Sequence, residues 1–227
     1  MGTNKMIAAG ALAGLGLLAS APANAEFEAS VGAASEYVFR GVASGSPQVW
    51  GGVDWSSDYG VYAGTWVSST STQGNEEVDY YVGWGNDMFD VGAIYYAYPS
   101  QPSQYESGIT EIYGGIGIGH FAGYIWYAPA GVDGPDDDEY AYLDLNLDIP
   151  LTQNTSIGAH LGYLEPIGDN ANNRDPFPQP GDDPQDADFD LGVSLNVSDF
   201  FLALTYLDGS RGGFSTVVGY SWALPIN

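Results

Sequence analysis

The chain has 227 residues, enough for one domain, and carries 29 acidic residues against four basic ones, a formal net charge of −25. Such a charge repels phosphate and excludes nucleic acid as a partner, and the lack of any cysteine excludes disulfides and thiolate metal sites. With 32 Gly, 17 Tyr and six Trp but only three Met, the composition points to an aromatic-rich all-β protein and not to a helical one.

In chain order, Lys5 precedes an apolar run from Met6 to Ala19, and Ala23-Asn24-Ala25 forms a small-x-small cleavage site. Residues 1–25 therefore read as a signal peptide for Sec export, and residues 26–227 as the exported domain. No later segment offers the roughly 18 to 20 uninterrupted apolar residues of a spanning helix, so any crossing of a membrane must use strands. Candidate strands fall at 28–40, 48–55, 61–68, 78–85, 90–98, 110–118, 121–127, 140–149, 155–163, 188–197, 200–207 and 214–222, twelve in all. Short connections (Ser56–Gly60, Asn86–Phe89, Gly119-His120, Pro150–Asn154, Ser198-Asp199) alternate with longer ones, among them Gly41–Pro47, Pro99–Ile109 and Leu164–Ala187. That alternation predicts an antiparallel up-and-down transmembrane β-barrel of about 12 strands, with short periplasmic turns and long acidic extracellular loops. Leu164–Ala187, with five prolines, is the leading candidate for a loop that folds inward as a lid.

The two most regular stretches, Tyr140–Ile149 and Asp188–Val197, place an apolar side chain at every second position, with acidic, amide or small residues at most of those between. Each is a ten-residue strand with lipid on one face and water on the other. The lumen phase collects Glu36, Arg40, Asp54, Asp79, Glu111, Asp144, Asp148, Asp188 and Asp190, with His160 as a further lumen-lining residue. In strand 61–68, Tyr62 and Trp66 compete with Val61, Ala63 and Val67 for the outward phase, and the facing stays undecided. The last strand, Phe214 to Trp222, has the aromatic pattern by which assembly machinery recognises outer-membrane proteins, although Ala223–Asn227 run beyond it.

Arg40 is the only Arg on a predicted strand, in phase with Glu36 and one hairpin from Asp54. An Arg fork facing carboxylates across a lumen sets a constriction and a transverse field; equally, it neutralises buried acids and holds the first hairpin in register. His160 shares a face with Ser156, and the turn at 150–154 would set Asp144 opposite His160 and Asp148 opposite Ser156. A Ser, His and Asp on one wall suggest an acyl hydrolase or acyltransferase. Against that, Ser156 lies two positions too far along the strand to partner His160, and no Gly-x-Ser-x-Gly elbow occurs. His120 falls in a turn. The acidic runs Asp136–Glu139 and Asp182–Asp190 suit weak screening by calcium or magnesium; Asp186-x-Asp188-x-Asp190 imitates the start of an EF-hand loop, but Leu191 stands where that loop needs Gly. No cofactor is expected.

The motifs Ser35-Glu36-Tyr37-Val38-Phe39-Arg40-Gly41, Gln48-Val49-Trp50-Gly51-Gly52-Val53-Asp54, Gly60-Val61-Tyr62-Ala63-Gly64-Thr65-Trp66, Glu77-Val78-Asp79-Tyr80-Tyr81-Val82-Gly83 and Tyr98-Pro99 resemble the proteobacterial TorF-type porin family, also labelled Gcw_chp. The match is dense over residues 30–99 and general afterwards. The resemblance implies an outer-membrane β-barrel and supplies no catalytic residues. Together with the alternation it leads to the expectation of a cation-preferring diffusion pore, not an enzyme, whose partners are outer-membrane lipid, the assembly machinery and small hydrophilic solutes or cations. A barrel enzyme, a closed structural barrel and a soluble exported β-barrel or sandwich with the apolar stripes inside are the competing readings, since periodicity alone does not say which solvent meets which face.

Overall fold

The computed structural model describes residues 26–71, 76–100, 108–129, 139–167, 188–208 and 213–226. The predicted signal peptide, most of the predicted lid and the acidic runs 136–138 and 182–187 lie outside the described residues. Fourteen strands are formed: β1 (Glu26–Ala34), β2 (Val38–Phe39), β3 (Val42–Ala43), β4 (Gln48–Ser56), β5 (Val61–Ser68), β6 (Glu77–Gly85), β7 (Phe89–Ala97), β8 (Ile109–Ile118), β9 (Phe121–Ala128), β10 (Glu139–Thr152), β11 (Thr155–Ile167), β12 (Asp188–Val197), β13 (Phe200–Leu207) and β14 (Gly213–Ile226). Twelve of them close into one antiparallel barrel in chain order, β1 pairing with β14 on one side and β4 on the other. The remaining pair, β2 and β3, forms a separate two-stranded sheet.

The period-2 pattern dictates the faces. Val82, Ile112, Ile125, Leu161, Val193 and Leu202 point outward and are exposed, while Tyr124, Tyr142, Asp190 and Val217, on the opposite phase of the same wall, are buried. This is apolar outside and polar or aromatic inside, the reverse of a water-soluble barrel or sandwich. In β5 the question left by the sequence is answered: Val61 and Val67 are exposed and Trp66 is buried, so Val61, Ala63, Thr65 and Val67 face out and Tyr62, Gly64, Trp66 and Ser68 face in. Packing explains the inward glycines. A Cβ at Gly64 would meet the Tyr81 ring at 2.5 Å, and one at Gly162 would overlap Tyr142 Oη and Asp190 Oδ2, so aromatic side chains lie flat against the inner wall only where the neighbouring strand offers no side chain.

The first strand departs from expectation. It was expected to run to residue 40 and ends at Ala34, after which the chain turns into the lumen. Val38-Phe39 and Val42-Ala43 then pair as a hairpin whose two-residue turn is Arg40-Gly41, with φ of 50° and 81°. Positive φ at both central residues is the geometry that matches strand twist in a tight hairpin. Tyr37 N–H donates to the Ser46 carbonyl at 3.1 Å and Ser44 N–H to the Tyr37 carbonyl at 2.8 Å, closing the base of this finger. Tyr37 and Phe39 pack into a cluster with Trp66, Tyr96, Trp126 and Tyr142, and Val38 packs into a second with Phe201, Ala203 and Val217. Both faces of the finger are therefore buried, and Glu36 and Arg40 belong to no barrel strand.

The final strand also departs from expectation. It does not stop at Trp222 but continues through Ala223 to Ile226, where Ile226 lies opposite Phe27. Likewise Leu164–Ile167, assigned to the lid, complete β11.

Candidate functional site

The lumen is organised in levels. Towards the long-loop end, the finger tip spans it. Arg40 donates from Nη2 to Glu111 Oε2 at 2.6 Å and from Nε to Glu111 Oε1 at 3.3 Å, and Glu111 is fully buried. The same carboxylate accepts from Tyr96 Oη and from Tyr140 Oη, each at 2.7 Å. Around the guanidinium, Cζ lies 4.2 Å from the Trp126 ring centroid, 4.7 Å from Tyr142 and 4.8 Å from Phe39. Gly41 rests against β12, where a Cβ would stand 3.1 Å from Asp190 Oδ2. Of the two roles open to Arg40 in the sequence, this geometry realises the neutralisation of a buried acid. Its partner, however, is Glu111 on β8 and not Asp54, and it fixes a finger and not a barrel hairpin.

Two further acids sit at this level. Glu77 accepts from Tyr37 Oη at 2.8 Å, and Asp79, 3% exposed, keeps one oxygen without a hydrogen-bond partner. Arg40 is the sole Lys or Arg among the described residues, and of the carboxylates Glu77, Asp79 and Glu111 it pairs with Glu111. Glu36 lies apart, at the base of the finger, where it accepts from Ser215 Oγ.

In the middle of the lumen, His160 Nε2 stands 2.6 Å from Asp190 Oδ1, and its Nδ1 is 3.0 Å from Asn146 Oδ1 and 3.3 Å from Asp144 Oδ1. Tyr142 Oη donates to Asp190 Oδ2 at 2.9 Å, which joins this group to the aromatic wall around Arg40. The register corrects the expected pairing. β10 and β11 meet in a turn at 153–154 that is tighter than the predicted 150–154, and the register shifts by one residue between Pro150 and Thr152, so Asn146, not Asp144, lies opposite His160, and Pro150, not Asp148, lies opposite Ser156. Ser156 Oγ donates to Asp148 Oδ2 at 2.9 Å and accepts from Asn196 Nδ2 at 3.2 Å. Serine and histidine thus engage different acids, and the arrangement lacks a nucleophile held by its base.

Towards the short-turn end, carboxylates pair with phenols. Tyr81 Oη donates to Asp54, Tyr62 Oη to Asp90 Oδ1 at 2.7 Å, and Tyr124 Oη to Asp90 Oδ2 at 3.1 Å. Glu28 lies directly opposite Asp54 across the β1–β4 pair. Asp188 sits at the other end, opposite Leu164. The structure thus joins Arg40 to Glu111 with Asp79 nearby, and Asp144 to His160 and Asp190, while Glu36, Asp54 and Asp148 bond to Ser215, Tyr81 and Ser156 elsewhere on the wall. Glu77 and Asp90 were missed by the sequence reading, although Glu77 is in phase with Asp79 and Asp90 with the inward Ile94 and Tyr96. Among the described residues no group of three or more His, Asp or Glu is arranged to hold a metal ion.

A family model described as "Bacterial protein of unknown function (Gcw_chp)" matches residues 18–211. No curated protein matches the chain. Among solved structures, the barrel is similar to the KdgM porin at a TM-score of 0.53 and 11% identity, covering 88% of this chain and 99% of that one. It is also similar to the NanC porin at a TM-score of 0.53 and 13% identity, covering 87% of this chain and 100% of that one. At such identities the likeness is one of fold: a closed twelve-strand barrel of the kind porins use.

Proposed function

The chain belongs to the Gcw_chp family, and from that premise and its inside-out barrel we propose that it is an outer-membrane porin giving passive diffusion of small hydrophilic solutes, with a preference for cations. One observation carries the reading: a closed barrel whose outer face is apolar and whose described inner face holds Asp54, Asp90, Asp144 and Asp148 with no Lys or Arg beyond the finger tip. Only lipid tolerates such a belt without penalty, and a lumen of one sign concentrates counter-ions. The porin role implied by the TorF-type resemblance agrees with it. The short turns then face the periplasm, the signal peptide directs export through the Sec pathway, and the aromatic residues Phe214, Tyr220 and Trp222 of β14 address the chain to the assembly machinery.

Purified protein in planar bilayers tests this. Under a salt gradient the reversal potential should show cations more permeant than anions, and D144N/D148N should shift it towards zero selectivity. The packed aromatic clusters around the finger favour a second reading, a structural barrel without pore activity. Absence of conductance in both the intact protein and a finger-shortened variant would establish that second reading over the first.

A further inference from the structure

We infer that the pocket around the Arg40 side chain is a guanidinium-binding site of the barrel wall, occupied in this structure by a tethered ligand, the tip of the chain's own finger, and able to take a guanidinium-bearing solute in its place. The wall supplies every recognition element. Glu111 presents both carboxylate oxygens to two N–H groups of the guanidinium, at 2.6 and 3.3 Å, and is itself held by the phenols of Tyr96 and Tyr140 at 2.7 Å. Trp126 and Tyr142 offer ring faces at 4.2 and 4.7 Å. A planar fork against a carboxylate with aromatic rings packed beside it is the environment that distinguishes guanidinium from ammonium, because only the former matches both features at once.

Two observations separate this from a plain structural ion pair. Trp126 Nε1 is buried and has no hydrogen-bond partner, so the indole is retained at the cost of an unpaired donor; what the indole adds over phenylalanine is the stronger π face that it turns to the cation. The residue that fills the site is also held in a conformation unfavourable to it, since Arg40 has φ 50°, and the two strands of the finger that carries it pair with each other and with no barrel strand. A tethered ligand under strain is displaced by a free one more readily than an unstrained one. The inference does not require the lumen to conduct, and its test does not measure conductance.

The test uses R40G, which empties the site while suiting the positive φ, in the full barrel folded in detergent. Titration with methylguanidinium chloride should produce a saturable change in tryptophan emission. Methylammonium at equal ionic strength should bind about tenfold or more weakly, as expected where the fork and stacking both contribute. R40G/E111Q should lose the response. A folded R40G that fails to respond, or responds equally to both cations, overturns the proposal. If R40G does not give the heat-modifiable gel band of a folded barrel, recovery of that band on refolding with methylguanidinium but not methylammonium supports the site, and no recovery with either counts against it. In the intact protein, methylguanidinium should accelerate amide exchange in Val38–Ala43 relative to equal sodium chloride, and unchanged exchange again opposes displacement.

Discussion

Arg40 combines two costs at one position, a backbone in the left-handed region and a charge removed from water, and Glu111 offsets both. Breaking a buried pair by removing one partner is far worse than replacing both, because the survivor keeps its desolvation penalty. E111Q should therefore lower stability by about 3–5 kcal/mol, read as a drop in the urea concentration at which the heat-modifiable form is lost. R40M/E111L should recover most of that loss; a double variant as unstable as E111Q would mean that the charges themselves organise the finger. At Gly162, where Tyr142 and Asp190 meet above a bare backbone, G162A should cost about 1–3 kcal/mol by overpacking, measured by the same gel assay. The sequence showed that Arg40 would meet carboxylates, since acids are the charged groups that recur on its lumen phase. It did not show which one. Glu111 is 71 residues away, and the choice between it and Asp54 depends on where the finger tip comes to rest.

At the scale of elements, the barrel strands were legible because each has one face in each of two environments, and a period of two survives any register. The finger was not, because both of its faces are buried. Tyr37, Val38 and Phe39 are three consecutive apolar side chains, all packed, and their alternation with Glu36 and Arg40 continues the phase of β1 without a break. The apolar run was no signal either, since barrel strands such as β9 and β13 carry runs as long. The same blindness produced the two-residue offset at His160, since a two-residue turn combined with the irregularity between Pro150 and Thr152 shifts the register by an even number and leaves the facing of every residue beyond it unchanged. The finger leaves the wall after β1 and its tip reaches Glu111 on β8, so replacing residues 36–46 by a two-residue Asn-Gly turn should raise single-channel conductance several-fold in planar bilayers while leaving the twelve barrel strands paired. An unchanged conductance would place the limiting constriction elsewhere.

For the whole molecule, the decisive property is the distribution of apolar surface. Leu195 faces out at mid-strand and Ser194 faces in beside it. L195K should destabilise the barrel in lipid by about 2–4 kcal/mol if the site lies at the bilayer midplane, whereas S194K should cost little; equal costs in a lipid-vesicle unfolding titration would contradict the outward assignment. The net charge of the chain carried no fold information, yet its sign runs through the lumen, where the described residues hold one Arg and at least eight carboxylates.

The seam between β1 and β14 has a consequence for synthesis. The first and last strands of the domain are hydrogen-bonded neighbours, with Phe27 beside Ile226, so the cylinder is sealed by the pairing most distant along the polypeptide. Until the final segment has emerged, the nascent sheet has two raw margins and an unshielded oily exterior, a state prone to sticking to its own copies. Completion is thus all or nothing. A chain trimmed of its last strand should accumulate as aggregate or be degraded, and should not persist as a smaller, eleven-staved version of the same vessel.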